Sequence, residues 1–341
     1  MYIFLLFGGN TPSQVQNDPG VIIGPIAALF GYIIDFMFNI VYSITTPHSL
    51  GLAIILLTLV VRSLMLPLAV KSQKSMMAMQ KLNPEVEKIR AKYGDSSDPE
   101  HKQKMNVEIQ SLYAKNKVNP LGGCLPLLIQ MPLFFGLMYI MNQSYLYVTK
   151  LKEIYHSLSA LIIQVPHYTN YVVPLALPHV PQKMLDAQTL DISTVEHMSK
   201  IINKFSLVEW EKLFSQIPAE YMPAIQDVFN LKQSIEIFTG LNLIESSGWV
   251  FPGLLIPILA GGTTFLSSWL SQKVSTSTDP KMKTQQTMMM VIMPVFMAFI
   301  TVNMPAGVGV YWITSSVFQV AQQLVMNRNA GLTLFKKKNQ E

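Results

Sequence analysis

Arg62 lies inside the apolar run SLGLAIILLTLVVRSLMLPLAV (residues 49–70), nine positions before the next basic side chain, Lys71. On a helix that separation is roughly 13 Å at 1.5 Å per residue. A charged side chain near the middle of a bilayer costs from ~3 to over 10 kcal/mol unless it reaches water or a partner. Snorkelling toward the headgroups is too short at that depth without local thinning. An ion pair needs an acid, and the apolar runs 123–146, 249–270, 287–303 and 308–326 contain neither Asp nor Glu. The arrangement that remains is a water-filled cavity lined by uncharged polar groups. In such a place an arginine attracts negative charge without making or breaking bonds.

Uncharged polar residues recur at spacings that suit such a cavity. Thr58 is one turn from Arg62 on the same helical face, and Gln130 sits in the middle of the run 123–146. Thr264, Ser267, Ser268 and Ser271 form a stripe at three- and four-residue spacing, and Trp312, Ser315, Ser316, Gln319 and Gln323 form another. The competing use of such residues is hydrogen bonding between membrane helices. Machinery for covalent chemistry is sparse. The chain has no His-Glu-x-x-His pair, no Gly-x-Ser-x-Gly turn and no Asp in its last three apolar runs. Its one cysteine, Cys124, allows neither an internal disulfide nor a zinc cluster. The expectation is no catalytic residue, no cofactor and no metal.

The elements that must position these residues follow from composition. Half of the 341 residues are hydrophobic and only 13% are charged, against about 25% in a soluble domain. The apolar residues come in blocks long enough to cross about 30 Å of hydrocarbon, which takes roughly 20 helical residues. The expected fold is all-α and integral to a membrane, with a core of five transmembrane helices at 49–70, 123–146, 249–270, 287–303 and 308–326. The third stripe of interest is the Met-rich fourth span, with Met288-Met289-Met290; methionine suits variable apolar partners and also serves as ordinary membrane-helix filling.

Between the first two spans, residues 71–119 read as a helical hairpin. Asn83-Pro84-Glu85 has the form of a helix start, Tyr93-Gly94 of a stop, and Asp98-Pro99-Glu100 of a second start. Residues 1–20 read as a short outer segment without a basic stretch, a convincing signal peptide or a lipid-anchoring cysteine. Residues 21–46 are long enough to span, but Tyr32, Asp35, Asn39 and Ser43 line one side. They read as an amphipathic helix in the outer interface, with a sixth span as the alternative. Residues 149–248 are polar, with ten acidic and seven basic side chains. They are expected to form short helices on the outer face, with some buried apolar surface but not a large core, and to be dispensable for basic activity.

Basic residues set the orientation. Ten lie in 71–119, three in the loop 271–286 and four in the tail from residue 328, but none in 1–48. Short loops rich in Lys and Arg stay in the cytoplasm. The hairpin, the 271–286 loop and the 327–341 tail are therefore expected inside, and the N-terminus and residues 149–248 outside.

The order of these features carries a resemblance. The Arg-bearing span and basic hairpin are followed by NPLGGCLPLLIQMPLFFGL (119–137), LAGGTTFLSSWLS (259–271) and MPAGVGVYWITSSVFQVAQQ (304–323). This resembles the YidC/Oxa/Alb family of membrane protein insertases, in the short bacterial form without a large folded periplasmic domain, over roughly residues 20–148 and 249–328. The resemblance implies five helices around a groove open to the cytoplasm and to lipid. It implies that Arg62 is the groove's positive centre, with Ser267 and Trp312 at its polar and aromatic positions. Many relatives carry Gln where this chain has Ser267 or Ser268. The expected activity is insertion, folding or assembly of newly made proteins in the bacterial cytoplasmic membrane, alone or with the Sec translocon. The expected partners are nascent membrane proteins, the ribosome at the hairpin, and lipid, without recognition of any nucleic-acid sequence. The alternative is a small-molecule or ion transporter, whose broken helices would match the prolines of the spans but whose repeated halves are not detectable here.

Overall fold

The computed structural model describes residues 20–94, 98–119, 125–179, 192–272 and 280–329. Those residues are helical almost throughout. Helix α1 is Gly20–Ile44, α2 Ser49–Tyr93, α3 Pro99–Lys115, α4 Leu125–Asn142 and α5 Ser144–Tyr147. Then follow α6 Thr149–Ile163, α7 Tyr168–Ala176, α8 Val195–Ile202, α9 Leu207–Phe214 and α10 Met222–Glu236. Helices α11 (Leu255–Gln272), α12 (Pro280–Val302) and α13 (Ala306–Asn329) complete the order. The sheet content of the described residues is one antiparallel pair, β1 Ile237–Phe238 against β2 Leu241–Asn242. Windows long and apolar enough to cross a membrane are Ala27–Ile44 and Ser49–Met79; Leu255–Ser271 and Met290–Val302 are shorter apolar helices.

The chain divides into two compact units. One takes its described residues from 1–57, 132–254 and 301–311, the other from 58–131, 255–300 and 312–341.

In the first unit, α1 buries Ala27, Ile34, Phe38 and Val41, at helical spacing, and exposes Leu29, Tyr32, Phe36 and Ile40. The expected polar side is thus only partly polar, because Tyr32 belongs to the exposed apolar row. Asp35 is not simply a water-facing group: its carboxylate accepts the Thr149 N–H at 2.8 Å and the Thr149 hydroxyl at 3.1 Å. It satisfies an N-terminal amide of α6 that has no partner within its own helix.

Within 149–248, the described residues form short α-helices of 8 to 15 residues. Their core is larger than composition suggests. Tyr155, Leu158 and Ile162 of α6, Met198 and Ile202 of α8, and Trp210 of α9 are all fully buried. Trp210 meets Phe229 with ring centroids 4.9 Å apart, and Phe214 closes the cluster at 4.8 Å from Phe229. Three aromatic residues from α9 and α10 supply much of that volume. Ser206 starts α9 with a capping box: its hydroxyl accepts the Glu209 N–H, and the Glu209 carboxylate accepts the Ser206 N–H at 2.7 Å.

This unit also holds the start of two long helices. His48 has φ 63° and donates its backbone N–H to Ser234 O at 2.7 Å, just before α2. Ahead of α13, Ala306 and Gly307 donate their N–H groups to Glu245 O and Leu243 O, both at 2.8 Å. Gly307 has no room for a side chain: a Cβ there would lie 2.8 Å from Met141 Sδ and 3.1 Å from Leu243 O.

The second unit corrects two boundaries. Helix α2 runs unbroken for 45 residues through Pro67 and Pro84, so Asn83-Pro84-Glu85 is not a helix start. A mid-helix proline removes one backbone bond, but Leu82, Asn83 and Val86 around it are buried, and packing of that face carries the helix through. The stop at Gly94 holds, with φ 62° and its N–H on Arg90 O at 3.0 Å. So does the second start, where Asp98 accepts the Glu100 N–H at 3.0 Å ahead of Pro99. Lys92 pairs with Glu108 at 3.0 Å and links the end of α2 to α3. The other correction is that the third apolar helix begins at Leu255 and not at 249. Residues 249–254 form a turn in the first unit.

Candidate functional site

All nine residues singled out from the sequence fall in the second unit: Arg62, Thr58, Gln130, Thr264, Ser267, Ser268, Trp312, Ser315 and Gln319. The structure brings some of them into contact. The Arg62 Nε–H donates to Ser315 Oγ at 2.6 Å, and a second guanidinium N–H reaches the same oxygen. This ties α2 to α13 through a buried hydroxyl. Thr58, one turn before Arg62, is fully buried, while Arg62 itself is half-buried. A fork that places two donors on one oxygen is geometry that guanidinium has and ammonium lacks.

The two stripes face each other. The Trp312 indole N–H donates to Thr264 Oγ1 at 2.8 Å, and the Gln323 amide donates to Ser271 Oγ at 2.6 Å. Both bonds join α11 to α13, and both sequence numbers rise from the first bond to the second. The two helices therefore run parallel. These bonds are the interhelical kind that competed with the cavity reading. Thr264 also donates to Ala260 O at 2.7 Å, so its hydroxyl both gives and receives. Ser267 is buried on the same helix, Ser268 is half-buried, and Gln319 is exposed. Gln130 on α4 is half-buried. Arg62–Ser315 and Thr264–Trp312 thus converge within one turn of α13, while Gln319 lies on its outside.

Gly261 belongs to the same framework and was not singled out from the sequence. A Cβ there would lie 3.1 Å from Ala298 Cβ and 3.2 Å from Pro294 O. It lets α11 and α12 approach closely, and the pair Gly261-Gly262 in the middle of an apolar run was the available signal. Among the described residues no group of three or more His, Cys, Asp or Glu side chains is placed to hold a metal ion. The arrangement offers a cation held by a hydroxyl, and bonded polar pairs on parallel helices.

A family model described as "60Kd inner membrane protein" matches residues 40–332. The chain belongs to that family. It is similar to the membrane protein insertase YidC of Oceanobacillus iheyensis, with 29% identity over 82% of this chain and 74% of the relative. It is similar to membrane protein insertase YidC 1 of Lactococcus lactis, with 30% identity over 81% of this chain and 67% of the relative. A Ruegeria protein also named membrane protein insertase YidC is 32% identical over 84% of this chain but only 34% of its own length. The match thus spans about three-quarters and two-thirds of the two shorter relatives and about a third of the longer one.

Proposed function

We propose that this chain is a membrane protein insertase of the bacterial inner membrane that offers newly made proteins a polar, positively charged path around Arg62. The single observation that carries the reading is the contact of Arg62 on α2 with Ser315 on α13, beside the Thr264–Trp312 bond that joins α11 to α13. A cation bound by a hydroxyl keeps its positive charge available to a passing carboxylate. The surrounding Ser, Thr and Gln side chains lower the cost of bringing a polar segment into the membrane. The apolar part of the substrate then moves into lipid, where burial is worth about 25 cal/mol per Å². No nucleotide or metal enters this mechanism.

Five membrane-crossing segments fit the reading: the first part of α2, α4, α11, the apolar half of α12, and α13. The parallel run of α11 and α13 supports it. Helix α1 lies along the outer surface, residues 149–248 stand outside, and α3, the loop after α11 and the C-terminal tail are cytoplasmic. The basic surface of the second half of α2 and of α3 is the docking face for the ribosome, and the Sec translocon is an optional partner. In a Cys124→Ser background, Gln110→Cys should be protected from an impermeant thiol reagent in intact cells, and Glu211→Cys should be labelled. Labelling at 110 would reverse the orientation.

The mechanism is tested by charge. Arg62→Lys keeps the charge and loses the fork, while Arg62→Ala loses both. Insertion of a substrate with an acidic translocated tail should fall strongly in Arg62→Ala and largely survive in Arg62→Lys. The same substrate with a neutralised tail should be affected less. Equal loss on both substrates would mean that Arg62 shapes the path without attracting charge, and no loss on either would remove the mechanism's main support.

A further inference from the structure

We infer that the turn Trp249-Val250-Phe251 is a lipid anchor that seats the outer segment in the outer leaflet of the membrane. These three consecutive residues are 61%, 78% and 74% exposed. They do not belong to a loose loop. Upstream, Ser247 and Gly248 donate their N–H groups to Met304 O at 3.2 Å and Val302 O at 2.9 Å. Downstream, Leu254 donates its N–H to Val250 O at 3.1 Å. Gly253 is folded back so tightly that a Cβ there would lie 1.6 Å from Ser247 O. The exposed side chains therefore stand on a closed, held turn, and little conformational freedom is lost when they are covered.

Three observations on the chain identify lipid as the occupant. First, residues 246–272 contain no ionisable side chain, so the patch has nothing with which to recognise a charged peptide. Second, the patch runs directly into α11, whose exposed Leu255, Ile258 and Leu259 are the surface that a membrane-crossing helix turns to lipid. Third, α11 has 18 residues, which reach roughly 27 Å at 1.5 Å per residue. That is short of about 30 Å of hydrocarbon. The residues just before α11 in sequence are apolar and include a tryptophan, the kind of side chain that collects at membrane–water interfaces.

The inference rests on the reading of α11 as membrane-crossing, and the experiment separates the two. Nitroxide labels are placed singly at Val250→Cys, Leu259→Cys and Glu211→Cys in a Cys124→Ser background of the full chain. The protein is reconstituted in phosphatidylglycerol–phosphatidylethanolamine vesicles. Collision rates with oxygen, which partitions into lipid, and with a water-soluble nickel chelate are compared. The oxygen-to-nickel ratio at 250 and 259 should exceed that at 211 severalfold. A ratio at 250 equal to that at 211, with 259 still lipid-like, would overturn the anchor and leave the span intact. Water-like ratios at both 250 and 259 would overturn the span and the anchor together. A label at 250 shielded from both reagents, or broadened by a label on a second copy, would mean that protein covers the turn, and would also overturn the anchor.

Discussion

Lys232 and Arg62 are both cations drawn away from bulk water, and the two units of the molecule hold them differently. Lys232 is 2% exposed and its partner Glu236 is 1% exposed, one turn apart on α10. Their contact is 2.7 Å. The Tyr155 hydroxyl donates to the other carboxylate oxygen at 2.9 Å. The ammonium also stands over the rings of Phe229, Tyr155 and Trp210 at 5.3, 5.5 and 5.6 Å. Here charge is neutralised on the spot and sealed in. Burial, with Glu236 beside it, also pushes the Tyr155 hydroxyl well above its ordinary pKa, so it remains a donor. Arg62 is half-buried and rests on a neutral hydroxyl. On the function proposed above, the sealed pair fixes a fold while Arg62 presents its charge to a substrate, and that contrast can be broken at either end.

The largest expected effect is at the sealed pair. Lys232→Met leaves a carboxylate buried without its cation, and breaking a buried pair in this way costs ~3–5 kcal/mol. Residues 149–248 should unfold well below the wild-type midpoint in thermal or denaturant melts followed by near-ultraviolet circular dichroism. The double change Lys232→Met with Glu236→Leu should recover most of the loss, since two apolar side chains of similar size are often as stable as the pair. Arg62→Ala is the counterpart. It removes a charge that is costly to hold, so the protein should accumulate and melt like wild type while insertion of acidic tails fails. If Arg62→Ala melted as low as Lys232→Met, the two cations would be doing the same job.

A smaller effect is expected at Gly307, where the outer segment meets the start of α13. A methyl group there must displace Met141 Sδ, which is flexible, and Leu243 O, which is backbone. Overpacking of this kind costs typically about 1–3 kcal/mol. Gly307→Ala should lower the melting midpoint modestly. It bears directly on whether residues 149–248 are dispensable, because Leu243 and Glu245 supply the acceptors for the first amides of α13. A deletion ending at residue 241 keeps those acceptors, and one ending at 247 removes them. The shorter deletion should retain more insertion activity than the longer one.

Some of this was legible in the sequence, and the reasons are physical. Gly94 and Asp98-Pro99 were readable because caps and stops are local events. Arg62 stood out because a charge in an apolar run has few affordable surroundings, but the sequence pointed to a water-filled cavity and did not announce the direct bond to Ser315. Asn83-Pro84 misled because the same dipeptide that starts a helix is tolerated inside one when its neighbours are packed. Lys232 and Glu236 have the spacing of an ordinary exposed helix pair, and only the arrival of Tyr155 and Trp210 from other helices buries them. The Leu243–Gly307 bond joins residues 64 apart in sequence, and no local pattern announces it.

The smallest expected effect is on the pH dependence of stability, and it should be confined to the outer segment. Burial raises the pKa of Glu245, although Lys232 and the N–H of Leu207 act against it. Burial also acts to raise that of Glu209, but the N–H and hydroxyl of Ser206 and the imidazole of His179 outweigh it, and the carboxyl titrates below its ordinary value of 4.5. The two acids therefore pull stability in opposite directions. The folded state holds the Glu245 proton more tightly than the unfolded chain does. Its contribution is fully present below the ordinary carboxylate pKa and is lost as pH rises through the higher folded value. The Glu209 contribution is present above the ordinary value and is lost as pH falls through the lower folded one. Wild-type stability should thus decline gently on both sides of the ordinary glutamate range, apart from what other groups add. Glu245→Gln keeps oxygen acceptors for Leu207 and Asn242 and should flatten the upper side alone. Glu209→Gln keeps a capping-box side chain and should flatten the lower side alone. Melting midpoints of the full-length variants, taken from about pH 3 to about pH 8 across the carboxylate range, decide the matter: a slope that neither substitution alters would mean that these two carboxyls do not set the pH dependence.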